Sequence, residues 1–408
     1  MLPRDSGSHA VNSFPDMSPS PSTPVYLDCA ATAPVDPRVR VLVARLLDAD
    51  YGNPGSRHHA RGRRARAAVE SARDAVAHRA GARRGEVIFT SGATESNNLA
   101  LLGLEAHGRE TGRRHVITSS IEHSAVLGPL DALAARGFEV QRLPIGPSGA
   151  LDPEELAAAL RPDTLCVSVM QVNNETGIRQ PTGRICELLE GHPAWLHIDA
   201  AQGFGQEPEA LRHPRVDMLS VSGHKMYGPQ GIGALISRRR EGARPPLTPL
   251  LLGGGQELGL RAGTLPLALI AGLGEACRIA DDEQADRAAR RAAYGEALLR
   301  GLAPLAPRLH GDPARRAAHI VNLSFPGLAA EEVIDAWRGL VEISDGAACT
   351  SHALSCSHVL SAMGLDSEAI EGAVRLSWCH ASPAPPTGLM VAALEGARPT
   401  PARRGTDG

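Results

Sequence analysis

The run Ser222-Gly223-His224-Lys225 places a hydroxyl, a residue with no side chain and an imidazole directly before a primary amine. A lysine amine can condense with an aldehyde cofactor such as pyridoxal phosphate. The three preceding residues offer a hydroxyl, close backbone approach and a ring nitrogen to the phosphate of such a molecule. A lone lysine after a strand is usually an ordinary surface residue, so the reading depends on partners. Thr90-Ser91-Gly92-Ala93-Thr94 supplies small residues at a helix start. There, backbone N–H groups from Ala93 onward and the Thr94 hydroxyl can hold an anion, although simple helix capping needs the same residues. Asp199, with Gln202 shortly after it, can keep a pyridine nitrogen protonated and turn the ring into an electron sink. His123, after Glu122, can stack on such a ring and move protons near neutral pH. Asn174 lies in Asn173-Asn174-Glu175-Thr176-Gly177, which alone would be just a turn.

Two further residues extend the chemistry. Cys349 stands in Ser344-Asp345-Gly346-Ala347-Ala348-Cys349-Thr350, a segment too poor in large apolar groups to bury a thiol, which favours reactivity. Arg375, in a short apolar strand, can clamp a carboxylate with two parallel N–H groups or serve in an ion pair.

Short buried runs at 86–90, 115–119, 138–142, 164–170, 194–199, 216–221 and 233–236 read as strands, and helical windows at 61–80, 94–108, 124–136, 153–160 and 182–190 fill most of the gaps. This alternation implies an α/β fold with a mostly parallel sheet covered on both faces. Ligands of such sheets gather at the carboxyl ends of the strands, where the lysine, the anion site, Asp199, His123 and Asn174 would all open. That convergence is far less expected by chance than any single motif. A second unit begins with a long helical stretch at 266–303 and continues with strands at 319–325, 341–344 and 374–378 and a helix at 329–338. Residues 1–24 form a disordered lead, with Met17 an alternative start, and 398–408 a loose tail.

The 408 residues can bury a large core, and a net charge of −3 gives no sign of a nucleic-acid surface. The seven cysteines lack CxxC pairs, so neither a disulfide framework nor a metal site is expected. No apolar run reaches the roughly twenty residues of a membrane helix, and the N-terminus lacks a secretion signal, which predicts a soluble protein of the reducing cytoplasm.

The chain resembles the NifS/IscS family of cysteine desulfurases, within the class V aminotransferase-like branch of fold-type I pyridoxal phosphate enzymes. The resemblance rests on dispersed motifs in the right order: Tyr26-Leu27-Asp28, Gly52-Asn53-Pro54, the run from Thr90 to Asn97, Glu122-His123, Asn173-Asn174-Glu175, Asp199 to Gln202, Ser222 to Pro229, Gly253 to Glu257, Arg261 to Leu265 and Ala348-Cys349-Thr350-Ser351. It implies a large seven-stranded cofactor domain over 25–265, whose first residues pack with a small C-terminal α/β domain over 266–397 that carries the Cys349 loop. It also implies roles. Lys225 would carry pyridoxal phosphate, Asp199 would pair with its ring nitrogen and Gln202 with its phenolic oxygen. Ala93, Thr94, Ser222 and His224 would hold the phosphate, and Thr264 would complete that site from the neighbouring subunit of a homodimer. His123 would stack on the ring, Asn174 and Arg375 would take the carboxylate of L-cysteine, and Cys349 would receive the sulfur as a persulfide and pass it to an acceptor protein. A selenocysteine lyase, another class V lyase and an idle sulfur-relay scaffold are the alternatives.

The chain departs from that pattern in places. Cys356 replaces a usual proline and either fills a gap or resolves a persulfide on Cys349. Cys379 replaces a usual glycine four residues after Arg375, where it could alter the substrate site, and Cys29, after Asp28, is a further unusual thiol near the expected active-site edge. Prolines 383, 385 and 386 forbid the long C-terminal helix of relatives, leaving only about 387–397 helical. This points away from the usual iron–sulfur scaffold and towards a dedicated acceptor, as in DNA phosphorothioation, tRNA thiolation or sulfur-metabolite synthesis.

Overall fold

A computed structural model describes residues 23–345 and 357–397. Strand β1 (Val25–Tyr26) opens the described chain. The large sheet follows: β2 (Val87–Thr90), β3 (His115–Ser119), β4 (Glu139–Leu143), β5 (Thr164–Met170), β6 (Trp195–Asp199), β7 (Met218–Ser222) and β8 (Gly233–Ser237), in the order β2-β8-β7-β6-β5-β3-β4. Neighbours run parallel except at β8, which is antiparallel to both β2 and β7. Every residue of β3, β5, β6, β7 and β8 is buried, as a sheet covered on both faces requires, while the edge strand β4 is Glu-Val-Gln-Arg-Leu and largely accessible.

Helices Ala60–Ala80, Thr182–Leu188 and Leu267–Asp282 pack one face of this sheet, around Val76, Ile185, Leu196, Val221 and Leu273. Helices Ala93–Leu102 and Ser124–Ala135 pack the other, around Leu99, Val126, Leu130, Val116 and Leu235. A second, antiparallel sheet is built from β9 (Arg308–Leu309), β10 (Ile320–Ser324), β12 (Ser344–Asp345) and β13 (Val374–Ser377), in the order β12-β13-β10-β9, while β11 (Val341–Glu342) pairs with β1. Its core gathers Leu323, Phe325, Trp337, Leu376, Trp378 and Met390 around Leu27 from the start of the chain. The α/β architecture with a mostly parallel seven-stranded sheet and a smaller α/β unit agrees with the sequence reading.

Local differences have local causes. The helix expected over 94–108 breaks after Leu102, because the Gly103 carbonyl is taken by the backbone and hydroxyl of Thr248. The stretch at 266–303 is two helices, Leu267–Asp282 and Gln284–Leu302, meeting at Glu283, whose carboxylate binds Arg38 and Arg287. The strand expected at 341–344 divides between β11 and β12, which serve different sheets. Helix Pro37–Asp48 was not anticipated, although Asp36 caps it and Pro37 opens it. Helix Thr387–Ala397 begins just beyond the prolines.

Candidate active site

The carboxyl ends of β2, β3, β5, β6 and β7 open on one recess of about 710 Å³, lined among others by Ala93, Thr94, His123, Asn174, Asp199, Gln202, Ser222, His224 and Lys225. On the β2 side the helix Ala93–Leu102 begins with no side chain capping its N-terminus, so its first N–H groups are offered to the recess beside Thr94. Thr90 and Ser96 bond each other at 2.8 Å and fix the preceding turn. Ser222 ends β7 directly across β8, for Gly233 pairs with both Thr90 and Ser222. A side chain at Gly233 would meet the Val221 carbonyl at 2.2 Å and the Gly92 Cα at 2.6 Å, so only glycine lets these two segments close together.

Asp199 is buried at the end of β6. One oxygen accepts from the Ala201 amide at 2.9 Å and the other from Asn97 Nδ2 at 2.8 Å. Asn97 is a site residue that was not assigned a role from the sequence. It lies one helical turn beyond Thr94, and that i, i+3 spacing is the signal that put both on one face. Its Oδ1 is buried with no hydrogen-bond partner.

His123 caps helix Ser124–Ala135, its Nδ1 accepting from the Ala125 amide at 3.1 Å. Burial holds its pKa below the ordinary value, so the ring is neutral and its proton sits on Nε2. Glu122 beside it is fully buried, and burial pushes its carboxyl up to about 8. It accepts from the Ser119 hydroxyl through Oε1, while Oε2 has no partner. The pair of asparagines divides the labour after β5. Asn173 makes the turn, accepting from the Glu175 and Thr176 amides, each at 2.9 Å, and Asn174 faces the recess.

Lys225 follows β7 in a short helical turn, Gly223–Lys225. Its Nζ donates to the Ala30 carbonyl at 2.6 Å, and Gln202 Nε2 donates to the same oxygen at 2.9 Å. His224 Nδ1 lies 3.2 Å from the Thr32 hydroxyl, and burial, then the charge of Lys225, pushes its pKa down to about 4. The turn continues through Tyr227, a left-handed residue at φ 66°, held there because its carbonyl binds the Asp36 amide and its hydroxyl accepts from Gln206.

Arg375 stands behind this recess rather than on its wall. It is 1% exposed, and it donates to Asp28 Oδ1 at 2.6 Å, to Ser344 Oγ at 3.0 Å and to the Asn174 carbonyl at 3.0 Å, leaving Nε without a partner. The ion pair considered from sequence is therefore present, with the guanidinium buried and Asp28 partly exposed. Thr264 is apart from the others, in a separate recess of about 550 Å³ with Asn53, Arg57, Arg66 and Gln256. Cys349 and Cys356 lie outside the described residues.

The ensemble is an anion cradle, a carboxylate held rigid by an asparagine, a neutral imidazole and a lysine amine, all facing one recess. Such a set can hold a phosphorylated ring, bind it covalently and shift protons beside it.

The aminotransferase class-V family model matches residues 25–384 of this chain. Cysteine desulfurase IscS from Shewanella baltica is 44% identical over 357 residues, covering 87% of each protein. Among solved structures, DndA from Streptomyces lividans matches with a TM-score of 0.76 at 48% identity, covering 87% of this chain and 99% of that one. SspA in complex with cysteine matches with a TM-score of 0.76 at 35% identity, over 86% of this chain and 98% of that one.

Proposed function

The chain belongs to the aminotransferase class-V family, and from that premise we propose that it takes sulfur from L-cysteine and leaves L-alanine, as a cysteine desulfurase. The observation that carries the reading is the convergence of Lys225, Asp199 and His123 on the recess where the strands end, in a chain this similar to proteins named cysteine desulfurase.

The donor set fits pyridoxal phosphate. The uncapped helix start at Ala93, with Thr94, Ser222 and His224, suits a phosphate, and Asp199, braced by Asn97, suits a protonated pyridine nitrogen. Gln202 would meet the phenolic oxygen and Lys225 would carry the cofactor. When bound, pyridoxal phosphate supplies a sink for the electron pair that develops at the substrate α-carbon.

The residues of this chain do the rest. Asn174 orients the carboxylate of L-cysteine, with the buried charge of Arg375 behind it. Lys225 takes the α-proton once its amine is released, and later returns a proton as alanine forms. His123, neutral with its proton on Nε2, exchanges protons with the substrate thiol and the leaving group. Cys349 attacks the substrate sulfur as a thiolate, so that the carbon–sulfur bond breaks and the sulfur stays on the enzyme as a persulfide for an acceptor protein. Thr264, in its separate recess, is assigned to the cofactor site of a second copy in a homodimer.

The test is alanine and sulfide release from L-cysteine in the presence of a thiol reductant, with wild type, Cys349→Ser and Lys225→Ala compared. Wild type should make both products, and each variant should fall by at least a hundredfold, on the order of the loss of an essential nucleophile or base. Alanine production by Cys349→Ser at the wild-type rate would overturn the sulfur-transfer reading and favour a lyase.

A further inference from the structure

Cys29 and Cys379 come from opposite ends of the chain and share one apolar cluster with Ala33 and Tyr227. They are 7% and 5% exposed, and both border a recess of about 280 Å³, distinct from the one described above. The Cys29 and Cys379 side chains lie together in that cluster, close enough for each to alter the other's ionisation. The Ala381 amide and the Ser382 hydroxyl point at the Cys379 sulfur, at 3.4 and 3.5 Å. Two donors on one sulfur favour its thiolate. The nearness of Cys29, and then these contacts, push Cys379 down to about 6, whereas Cys29 is pushed up by Cys379 and by burial. The pair is thus polarised into a sulfur that can ionise and a neutral thiol beside it.

What Cys29 is attached to makes the pair consequential. Its neighbour Asp28 binds Arg375 at 2.6 Å, and its other neighbour Ala30 offers the carbonyl that Lys225 and Gln202 share. The same segment is laid along β13, with the Cys29 amide on the Ser377 carbonyl and the Ala30 amide on the Ser377 hydroxyl.

We propose that Cys29 and Cys379 form a peroxide-oxidisable dithiol, whose disulfide acts on the active site through the Asp28–Ala30 segment. The Cys379 thiolate attacks one oxygen of a hydroperoxide such as hydrogen peroxide. A sulfur–oxygen bond forms and the oxygen–oxygen bond breaks, and the departing hydroxide takes up the proton that Cys379 released, giving water. Cys29 then attacks the sulfenic sulfur. The sulfur–sulfur bond forms as the sulfur–oxygen bond breaks, and the hydroxyl leaves with the Cys29 proton as a second water. Two thiols are oxidised, one peroxide is reduced, and no other reactant is needed. A covalent bond draws the sulfurs closer than non-bonded contact allows, so Cys29 must move and carry its neighbours with it. This second part rests on the roles of Lys225 and Arg375 proposed above.

The experiment uses full-length holoenzyme, treated with hydrogen peroxide, alkylated, digested without reduction and mapped by mass spectrometry. The expected product is a peptide pair joined through Cys29 and Cys379, lighter by two hydrogen atoms, cleaved by dithiothreitol and absent from Cys29→Ser and from Cys379→Ser. Recovery of both thiols alkylated while peroxide is consumed at other cysteines would overturn the proposal, as would Cys379 sulfinic acid with no link. The mapping needs neither a variant that folds nor any turnover, so its outcome is separate from that of the desulfurase assay. The coupling is read in the Cys349→Ser holoenzyme by binding of L-alanine, which cannot reduce a disulfide. The linked form should bind it about fivefold or more weakly, with affinity restored by dithiothreitol, and the doubly substituted Cys349→Ser, Cys379→Ser protein should not respond to peroxide. Unchanged affinity in the linked protein would overturn the coupling.

Discussion

Replacing Gly233 by alanine adds one methyl group at the point where the two halves of the anion cradle meet. That methyl would lie 2.2 Å from the Val221 carbonyl oxygen and 2.6 Å from the Gly92 Cα, with Gly92 C at 2.8 Å. These are backbone atoms, which cannot swing aside as a flexible side chain would. Each approach is short of ordinary contact by roughly 1 Å, and a close-packed interior passes such a shift on rather than absorbing it. Overpacking of this kind costs about 1–3 kcal/mol. Since Gly92 directly precedes Ala93 and Val221 directly precedes Ser222, the displaced backbone is the cradle itself. If the whole cost falls on ligand binding, affinity for pyridoxal phosphate drops by about 5- to 150-fold. The assay is spectroscopic titration of the apo protein with pyridoxal phosphate, alongside thermal melting with and without the cofactor. Gly388→Ala is the control: it lies in helix Thr387–Ala397 with nothing within 4 Å of the added carbon and no proline directly after it, and should leave affinity alone while adding about 0.4–1 kcal/mol of stability. A Gly233→Ala protein that binds the cofactor within about twofold of wild type would refute the argument that this strand end sets the cradle.

Glu122 gives a pH prediction. Its folded carboxyl stands at about 8 against an ordinary 4.5, so its contribution to stability is complete below 4.5 and is lost as pH rises through 8. The wild-type melting temperature should therefore fall relative to Glu122→Gln across that interval, and a difference that stays constant with pH would contradict the assignment. Arg375→Lys removes a planar fork that binds Asp28, Ser344 and the Asn174 carbonyl together. The KM for L-cysteine should rise by about tenfold or more, the equivalent of losing one charge-assisted hydrogen bond, with the cofactor absorbance retained. An unchanged KM would remove Arg375 from substrate binding.

The large sheet was legible because all its strands but the edge strand β4 are short, buried runs rich in Val, Ile, Leu and Met, and because helices of ordinary length separate them. The convergence of Lys225, Asp199, His123 and Asn174 followed from that alternation, since successive parallel strands must end on one side. What escaped depends on side chains meeting across long separations. Asn97 braces Asp199 from 102 residues away, and Arg375 meets Asp28 across 347; no periodicity encodes such pairs. Cys29 and Cys379 each looked unusual alone, and only the alignment of residue 28 against 377 brings them together. Helix Pro37–Asp48 was missed for a different reason. Val39, Leu42, Val43 and Leu46 do recur at helical spacing, but the apolar Val41 and Leu47, 66% and 68% exposed, blur the contrast between its two faces.

The bond between the Ala30 amide and the Ser377 hydroxyl also orders events in time. Synthesis delivers Asp28, Cys29 and Ala30 long before β13, from which they are separated by some 347 positions. A nascent chain can lay down all of β2 to β8 and still lack the backing against which Lys225 and Gln202 rest. Closing so large a loop is slow and comes late. Ala33 and Asp36 tie the following residues to the Lys225 turn, but the segment is pinned on both sides only when the last strand docks, and a chain truncated before residue 374 would carry every recess residue named on the large sheet yet lack the β13 contacts on Cys29 and Ala30.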